Sequence, residues 1–312
     1  MNAATAPDPL YADIAERISQ VTGEPFRARH PHTRSGGGIS ESLVLEDGAR
    51  MFFIKLNRAE RLPMFEAEMA GLRLLAATQT LRVPEPLLCG TASASGQQHA
   101  FIVLEYLPLV DSDAPERLAE RLVALHQHSG APTHELFGLQ HDNFIGTTPQ
   151  DNTPHNDWVS FWSRCRLQPQ LERARQNQLA PATLELGEQL LAALPSFFTD
   201  YQPRPSVLHG DLWGGNYGYV ASESAQPEPV IFDPATYLGD READIAMTEL
   251  FGGFPPRFRH AYEAAWPLDA GYGVRRQLYN LYHVLNHFNL FGEGYAAQSQ
   301  RLMQRLLSEV RG

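Results

Sequence analysis

The feature that most limits what this chain can fold into is a lone β-rich interruption in an otherwise helical two thirds. After about residue 115 the sequence reads as successive helices, at Pro115–His128, Asp157–Asn177, Ala182–Phe198, Ala243–Leu250, Pro256–Ala265 and two more near the C-terminus. Only the pair Val207–Val220 and Pro229–Pro234 breaks that pattern. The first third has the opposite character. Glu41–Glu46 and Met51–Leu56 flank the turn residues Asp47-Gly48, a hairpin signal. Val83–Cys89 and His99–Leu107 read as two more strands, with a single helix from Pro63 to about Thr78. Asp111–Pro115 then links the halves. The expected plan is α+β in two lobes: a small β-rich lobe over residues 1–108 and a larger, mainly helical lobe over 109–312. A chain of 312 residues can give each lobe its own core.

Charge and cysteine usage remove several function classes. The net charge is −11, with 25 basic against 36 acidic residues and no basic run, so nucleic acid is not an expected partner. A small anion remains possible, because one lysine, backbone N–H groups and metal ions suffice to hold it. Cys89 and Cys165 stand far apart and outside any CxxC spacing, which indicates neither a disulfide framework nor a cysteine zinc site. The longest apolar stretch, Phe101 to Val110, is interrupted by Glu105 and is too short for a membrane span. The opening MNAATAPDPL lacks the basic region and apolar core of a signal peptide, so a cytoplasmic protein without membrane partners is expected.

The segment His209-Gly-Asp-Leu-Trp-Gly-Gly-Asn216 carries the strongest chemical signal. An aspartate followed five residues later by an asparagine is the spacing of a kinase catalytic loop. Asp211 would accept the proton of an attacking hydroxyl, and Gly214 and Gly215 let the loop return so that Asn216 reaches a metal ion. Seventeen residues on, Val230-Ile-Phe-Asp233 ends an apolar strand on a second carboxylate. Asp211, Asn216 and Asp233 together supply the oxygen donors that a magnesium nucleotide needs, so ATP and Mg²⁺ are the expected cofactors. Each motif alone has a plainer reading, as a polar turn or a strand-ending Asp-Pro; their order and spacing favour the chemical one.

The N-terminal lobe supplies matching parts. Lys55 shares a strand face with Met51 and Phe53, and a lysine on a half-buried face needs an anion. Glu68 falls on the Met64, Leu72 and Leu75 stripe of the helix and is its expected partner, whereas Glu66 reads as solvated. Gly36, Gly37 and Gly38 precede these strands and suit a loop covering phosphates. Phe101–Leu107 should end as a hinge whose backbone at Glu105 and Leu107 meets an adenine edge. Asp244 is expected to hold the catalytic-loop backbone rather than to act in chemistry. No Walker motif, DFG or APE signature is present.

HGDLWGGN, IFDPATYLGDRE, MTELFGGFP and Asn286–Gly292 (NHFNLFG), with Phe137-Gly138, Asp142–Gly146, Pro149-Gln150 and Trp158, resemble the fructosamine/ketosamine-3-kinase family. The resemblance runs from about Gly36 to Leu307 and implies a protein-kinase-like fold, related to the aminoglycoside phosphotransferases. It implies transfer of the ATP γ-phosphate to the 3-hydroxyl of a ketosamine, on an amino acid or a protein lysine, as a step in removing the adduct. By the same resemblance Asp211 is the base, Asn216 and Asp233 hold magnesium, Lys55 with Glu68 positions phosphates, Trp213 stacks on the sugar and His287 lines the acceptor side. Ribulosamines or erythrulosamines are expected ahead of fructosamines, in a pocket closed by Trp213 and Phe288. Some relatives carry a cysteine after the glycine triplet, linked to redox-controlled dimers. Ile39 stands there instead, which leaves that regulation and the oligomeric state open.

Two readings compete. His283 and His287 stand four apart, as in a zinc hydrolase, but Val284 replaces the glutamate base, so a structural pair is favoured. A kinase acting on an aminoglycoside or choline is the closer rival, because its site would use the same residues.

Overall fold

The computed structural model describes residues 8–29, 32–34, 39–94, 96–128, 136–223, 226–252 and 254–311. The Gly36, Gly37 and Gly38 triplet lies outside the described residues.

Among the described residues the first lobe has two α-helices, one more than the sequence suggested. Helix α1 (Pro9–Thr22) starts where Asp8 Oδ1 accepts the Leu10 N–H at 2.9 Å and ends at Gly23, which takes the left-handed φ of 73°. Strands β1 (His32–Arg34), β2 (Glu41–Glu46) and β3 (Met51–Arg58) lead into α2 (Leu62–Ala77), and β4 (Pro86–Ala94) and β5 (Gln97–Glu105) follow. They form one antiparallel sheet in the order β1-β2-β3-β5-β4. Alternation along each strand divides its side chains between two helices. Leu43, Leu45, Ile54, Leu56, Phe101 and Val103 meet Leu10, Ile14 and Ile18 of α1. Ala100, Ile102 and Leu104 meet Phe65, Met69, Leu72 and Leu75 of α2.

Strand β4 begins at Pro86, three residues later than expected. The chain at Arg82 instead bridges Val230 of the other lobe, with the Ile231 N–H donating to the Arg82 carbonyl at 3.0 Å. Pro84 and Pro86 also remove two of the donors a ladder would need there.

The second lobe opens with α3 (Pro115–Gln127) and a short hairpin of β6 (Asn143–Ile145) and β7 (Thr148–Gln150). The expected single helix from Asp157 is α4 (Trp158–Trp162), a π-helical turn over Ser163–Leu167, and α5 (Gln168–Gln176). Helix α6 (Pro181–Ala193) precedes four short strands: β8 (Ser206–Leu208), β9 (Tyr217–Val220), β10 (Glu228–Ile231) and β11 (Tyr237–Gly239). Then come α7 (Arg241–Thr248), α8 (Pro256–Ala265), α9 (Tyr272–Phe291) and α10 (Ala296–Arg311).

The expected single strand pair is two ladders. β9 pairs β10, while β8 pairs β11 with Leu208 opposite Tyr237. The loops 209–216 and 232–236 are thereby pressed together: Phe232 N–H donates to the Asn216 carbonyl at 3.1 Å and Ala235 N–H to the His209 carbonyl at 2.9 Å.

The two-lobed, protein-kinase-like α+β plan holds, with the β-rich lobe first and the helical lobe second. One core fills the second lobe around Trp162, Leu190, Tyr279 and Leu306. Another crosses the junction, joining Leu72 and Leu75 of α2 to Leu118 and Leu122 of α3, Val207 and Ile245. No helix among the described residues is long and apolar enough to cross a membrane.

Candidate active site

Lys55 stands on β3 between Ser42 of β2 and Ile102 of β5, on the face that looks toward α2. It is buried, and its Nζ lies 2.6 Å from Glu68 Oε1 and 2.7 Å from Asp233 Oδ1. Burial pulls the ammonium down, but the attraction of Asp233 and Glu68 outweighs it and holds Lys55 above its ordinary value. A cation with two carboxylates leaves the cluster one negative charge in excess. Glu66, by contrast, is exposed.

The loop after β8 is held from below by Asp244, in the first turn of α7. Its Oδ2 accepts the His209 N–H at 2.7 Å and its Oδ1 the Gly210 N–H at 2.8 Å. Behind it Arg241 donates to the Tyr262 hydroxyl at 3.2 Å, Tyr262 donates to His126 Nδ1 at 2.8 Å, and His126 Nε2 donates to Asp244 at 3.2 Å. Asp244 therefore holds backbone, as expected from its position. Gly210 must be glycine, because its φ is +82° and a Cβ would sit 2.1 Å from the Ala235 carbonyl oxygen.

The His209 ring is fully buried and neutral. Its Nε2–H donates to the Phe232 carbonyl at 2.9 Å and its Nδ1 accepts the Asp211 N–H at 3.2 Å, while burial holds its pKa down. Each ring nitrogen thus fixes one of the two loops that carry the acidic residues.

Asp211 is half-buried at the loop tip. Burial, with the like charges of Asp233 and Asp244, pushes its carboxyl up to about 7. Asn216 donates through Nδ2 to the Asp211 carbonyl at 2.8 Å, which leaves its Oδ1 as the amide atom that can ligate a cation. Asp233 adopts a left-handed φ of 59°, rare outside glycine, and its side chain remains 46% exposed. Asn216 and Asp233 offer hard oxygen donors, and among the described residues no group of three or more His, Cys, Asp or Glu forms a closed metal cage. That donor set fits magnesium, which is usually held by one or two carboxylates together with substrate phosphates.

The other expected site residues stand in varied surroundings. The Glu105 N–H donates to the Glu85 carbonyl at 2.8 Å, and the Glu105 carboxylate takes Arg82 at 2.6 Å. That backbone donor is therefore committed, while Leu107 lies two residues beyond the end of β5, partly exposed. Trp213 is exposed and its ring folds back over Gly215, where a Cβ would meet it at 2.3 Å. His287 donates from Nδ1 to the His283 carbonyl at 2.8 Å and packs against Phe251, Tyr295 and Phe291 at 4.4, 5.1 and 5.4 Å between ring centroids. Phe288 is buried in the second-lobe core. His283 is buried and pushed down to about 3, chiefly by that burial, a neutral structural residue.

Sequence reasoning missed the buried amides Asn143, Gln150 and Asn152 and the buried Arg166. The runs Asp142–Gly146 and Pro149-Gln150 had drawn attention, but nothing in them marked which amides would be inside.

The fructosamine kinase family pattern matches residues 10–309. The probable ketoamine kinase of Synechocystis is 44% identical over 302 residues, covering 95% of this chain and 97% of that protein. A chloroplastic protein-ribulosamine 3-kinase of Arabidopsis thaliana is 38% identical over 272 residues, covering 87% and 81%. Among solved structures, one named as a fructosamine-3-kinase from Haemophilus somnus superposes with a TM-score of 0.84 at 29% identity, covering 96% and 98%. An aminoglycoside phosphotransferase, at 17% identity and a TM-score of 0.62, shares the fold. On its sequence and its fold alike, the chain belongs to the fructosamine kinase family.

Proposed function

We propose that this protein transfers the γ-phosphate of ATP to the 3-hydroxyl of a ketosamine carried on an amino acid or protein lysine, a deglycation-repair activity. The observation that carries the reading is the meeting of Lys55, Glu68 and Asp233 across the lobe junction, beside the Asp211–Asn216 loop. Relatives named ketoamine and protein-ribulosamine kinases, matched over most of their length, supply the acceptor class.

Asp211 is the proton acceptor in this reading. As the 3-hydroxyl oxygen bonds to the γ-phosphorus, the bond to the β–γ bridging oxygen breaks, ADP departs and the hydroxyl proton goes to Asp211. A carboxyl near 7 is half ready for that proton at neutral pH. Lys55, braced by Glu68, turns from Asp233 to the α/β-phosphate oxygens. Asn216 and Asp233 would hold magnesium, which when bound offsets phosphate charge. The lobe boundary near 108/109 leaves Leu107 to face the adenine edge, without the Glu105 N–H. Gly36, Gly37 and Gly38 are the proposed phosphate cover, Trp213 the sugar contact, and His287 sits behind the acceptor side among its aromatic neighbours.

The test is ADP release over ribulosamines, erythrulosamines, fructosamines, choline and aminoglycosides, with the phosphate located by NMR. Phosphorylation of ketosamines at O3 is expected. Brisk turnover of choline or an aminoglycoside with none of any ketosamine would replace the reading.

A further inference from the structure

Asn143 and Gln150 of the β6–β7 hairpin, and Asn152 two residues beyond it, are buried amides. Their hydrogen bonds converge on the chain just after Asp233. Asn143 Nδ2 donates to the Thr236 carbonyl at 2.8 Å, and Gln150 Nε2 donates to the Ala235 carbonyl at 3.3 Å. Asn143 Oδ1 accepts from Gln150 Nε2 at 2.8 Å and from Asn152 Nδ2 at 3.0 Å.

An amide can point either way; a guanidinium only donates. Arg166 NH2 donates to Asn152 Oδ1 at 2.7 Å, which forces Asn152 to present Nδ2 to Asn143 and Asn143 to present Nδ2 to Thr236. The Ala235 carbonyl, which can only accept, sets Gln150, and Tyr282 of α9 donates to its Oε1 at 2.6 Å. Arg166 is fully buried on the π-helical turn, stacked over Tyr237 at 4.1 Å and Phe161 at 4.6 Å. Among the described residues no carboxylate lies within ion-pair distance of it. A buried cation without a carboxylate is costly unless acceptors surround it; Arg166 Nη1 donates to the Asp151 and Cys165 carbonyls and Nη2 starts the amide chain at Asn152, while Nε has no hydrogen-bond partner among the described residues.

Asp233 needs such a chain. Its left-handed φ is unfavourable for a side-chain-bearing residue, and residues 232–236 belong to no strand or helix. We propose that Asn143, Gln150 and Asn152, with the asparagines oriented by Arg166 and Gln150 backed by Tyr282, are positioning residues that clamp the Ala235–Thr236 backbone and so aim the Asp233 carboxylate. The inference rests on the reading of Asp233 as a magnesium ligand.

Hydrogen exchange over residues 233–238, and calorimetry of ATP with and without magnesium, test it on the whole chain. Loss of a buried hydrogen bond to a clamped carbonyl should raise exchange and weaken magnesium-ATP binding about tenfold each in Asn143→Ala, with metal-free ATP nearly unaffected. Exchange or magnesium-ATP affinity within twofold of the parent, or equal weakening with and without magnesium, overturns the proposal. If Asn143→Ala does not fold, Gln150→Ala removes the Ala235, Asn143 and Tyr282 contacts but leaves the Asn143 bond to Thr236, and smaller changes of the same kind are expected; none in either readout overturns it. Asp233→Ala is the control. If it loses magnesium dependence while Asn143→Ala keeps it, the clamp is refuted. If Asp233→Ala itself keeps magnesium dependence, the metal reading fails, and unchanged exchange in Asn143→Ala would then refute the clamp as well.

Discussion

Lys55 Nζ and Asp233 Oδ1 lie 2.7 Å apart, although 178 residues separate them in the chain. This contact ties the sheet of the first lobe to the turn that follows β10 in the second. Glu68 holds the same ammonium from the other side at 2.6 Å, so the lysine is shared between a brace and a site carboxylate.

If Lys55 and Glu68, in contact at 2.6 Å, serve as one unit, the losses on removing them should not add. Lys55→Ala and Glu68→Gln are each expected to lower kcat/KM, Lys55→Ala more because it also abandons Asp233. The double variant should be little worse than Lys55→Ala. Full additivity in steady-state kinetics would show that they act separately and would direct attention to Glu66.

Asp211→Asn should lower turnover by roughly 10²–10⁴-fold with nucleotide affinity nearly intact. It should also change stability in a pH-dependent way. The folded carboxyl is raised to about 7 from an ordinary value near 3.8, so ionising it costs folding free energy above pH 7 and nothing below the ordinary value. The variant should therefore melt higher than the parent at pH 8, and the gain should shrink as pH falls through 7 toward 4. Melting curves of the metal-free protein at several pH values decide it; a gain that is constant with pH would contradict the raised carboxyl.

Asp244→Asn should be among the most damaging single changes. The amide presents a donor where His209 N–H, Gly210 N–H and His126 Nε2–H all require an acceptor. Breaking charged, buried hydrogen bonds of this kind costs about 3 kcal/mol or more. Denaturant unfolding measures it. A variant with stability within about 0.5 kcal/mol of the parent, the range of ordinary surface changes, would show that the loop does not depend on this carboxylate.

Ribulosyl-lysine should be used in preference to fructosyl-lysine. With Phe288 in the core, the exposed Trp213 ring, as the proposed sugar contact, would be the bulky group that crowds the longer sugar. One extra hydroxymethyl against such a wall is worth about 1–3 kcal/mol, or roughly 10–200-fold in kcat/KM. Trp213→Ala should narrow that ratio. Equal use of both sugars by the parent would remove Trp213 from this role.

Much of the site could be read before any coordinates because its parts follow short-range rules. Period-two alternation put Lys55 on an inward face, and the Asp211–Asn216 spacing with the strand ending at Asp233 marked the loops. What escaped was long-range or too short to show a period. Three-residue strands such as β6, β7 and β11 carry no alternation to detect, and the β8–β11 pairing joins segments whose sequences say nothing of each other. Helix α9 is buried on nearly every side from Leu278 to Asn286, so its periodicity could not tell that Phe288 faces the core. A buried amide such as Asn143 looks, in sequence, like any loop amide. Helix α1 was legible after all: Asp8-Pro9 and the Leu10, Ile14, Ile18 stripe are an ordinary helix start and face.

The core that runs from Leu72 and Leu75 through Leu118 and Leu122 to Val207 and Ile245 belongs to neither lobe alone. If the helical lobe came apart, α2 would lose the apolar partners that lobe gives it, and Glu68 would lose its footing with them. Thermal denaturation should therefore appear as one cooperative event, in which fluorescence and far-ultraviolet dichroism follow the same curve. A lobe that melted early and by itself would mean that Leu72 and Leu75 keep their packing without Leu118 and Leu122.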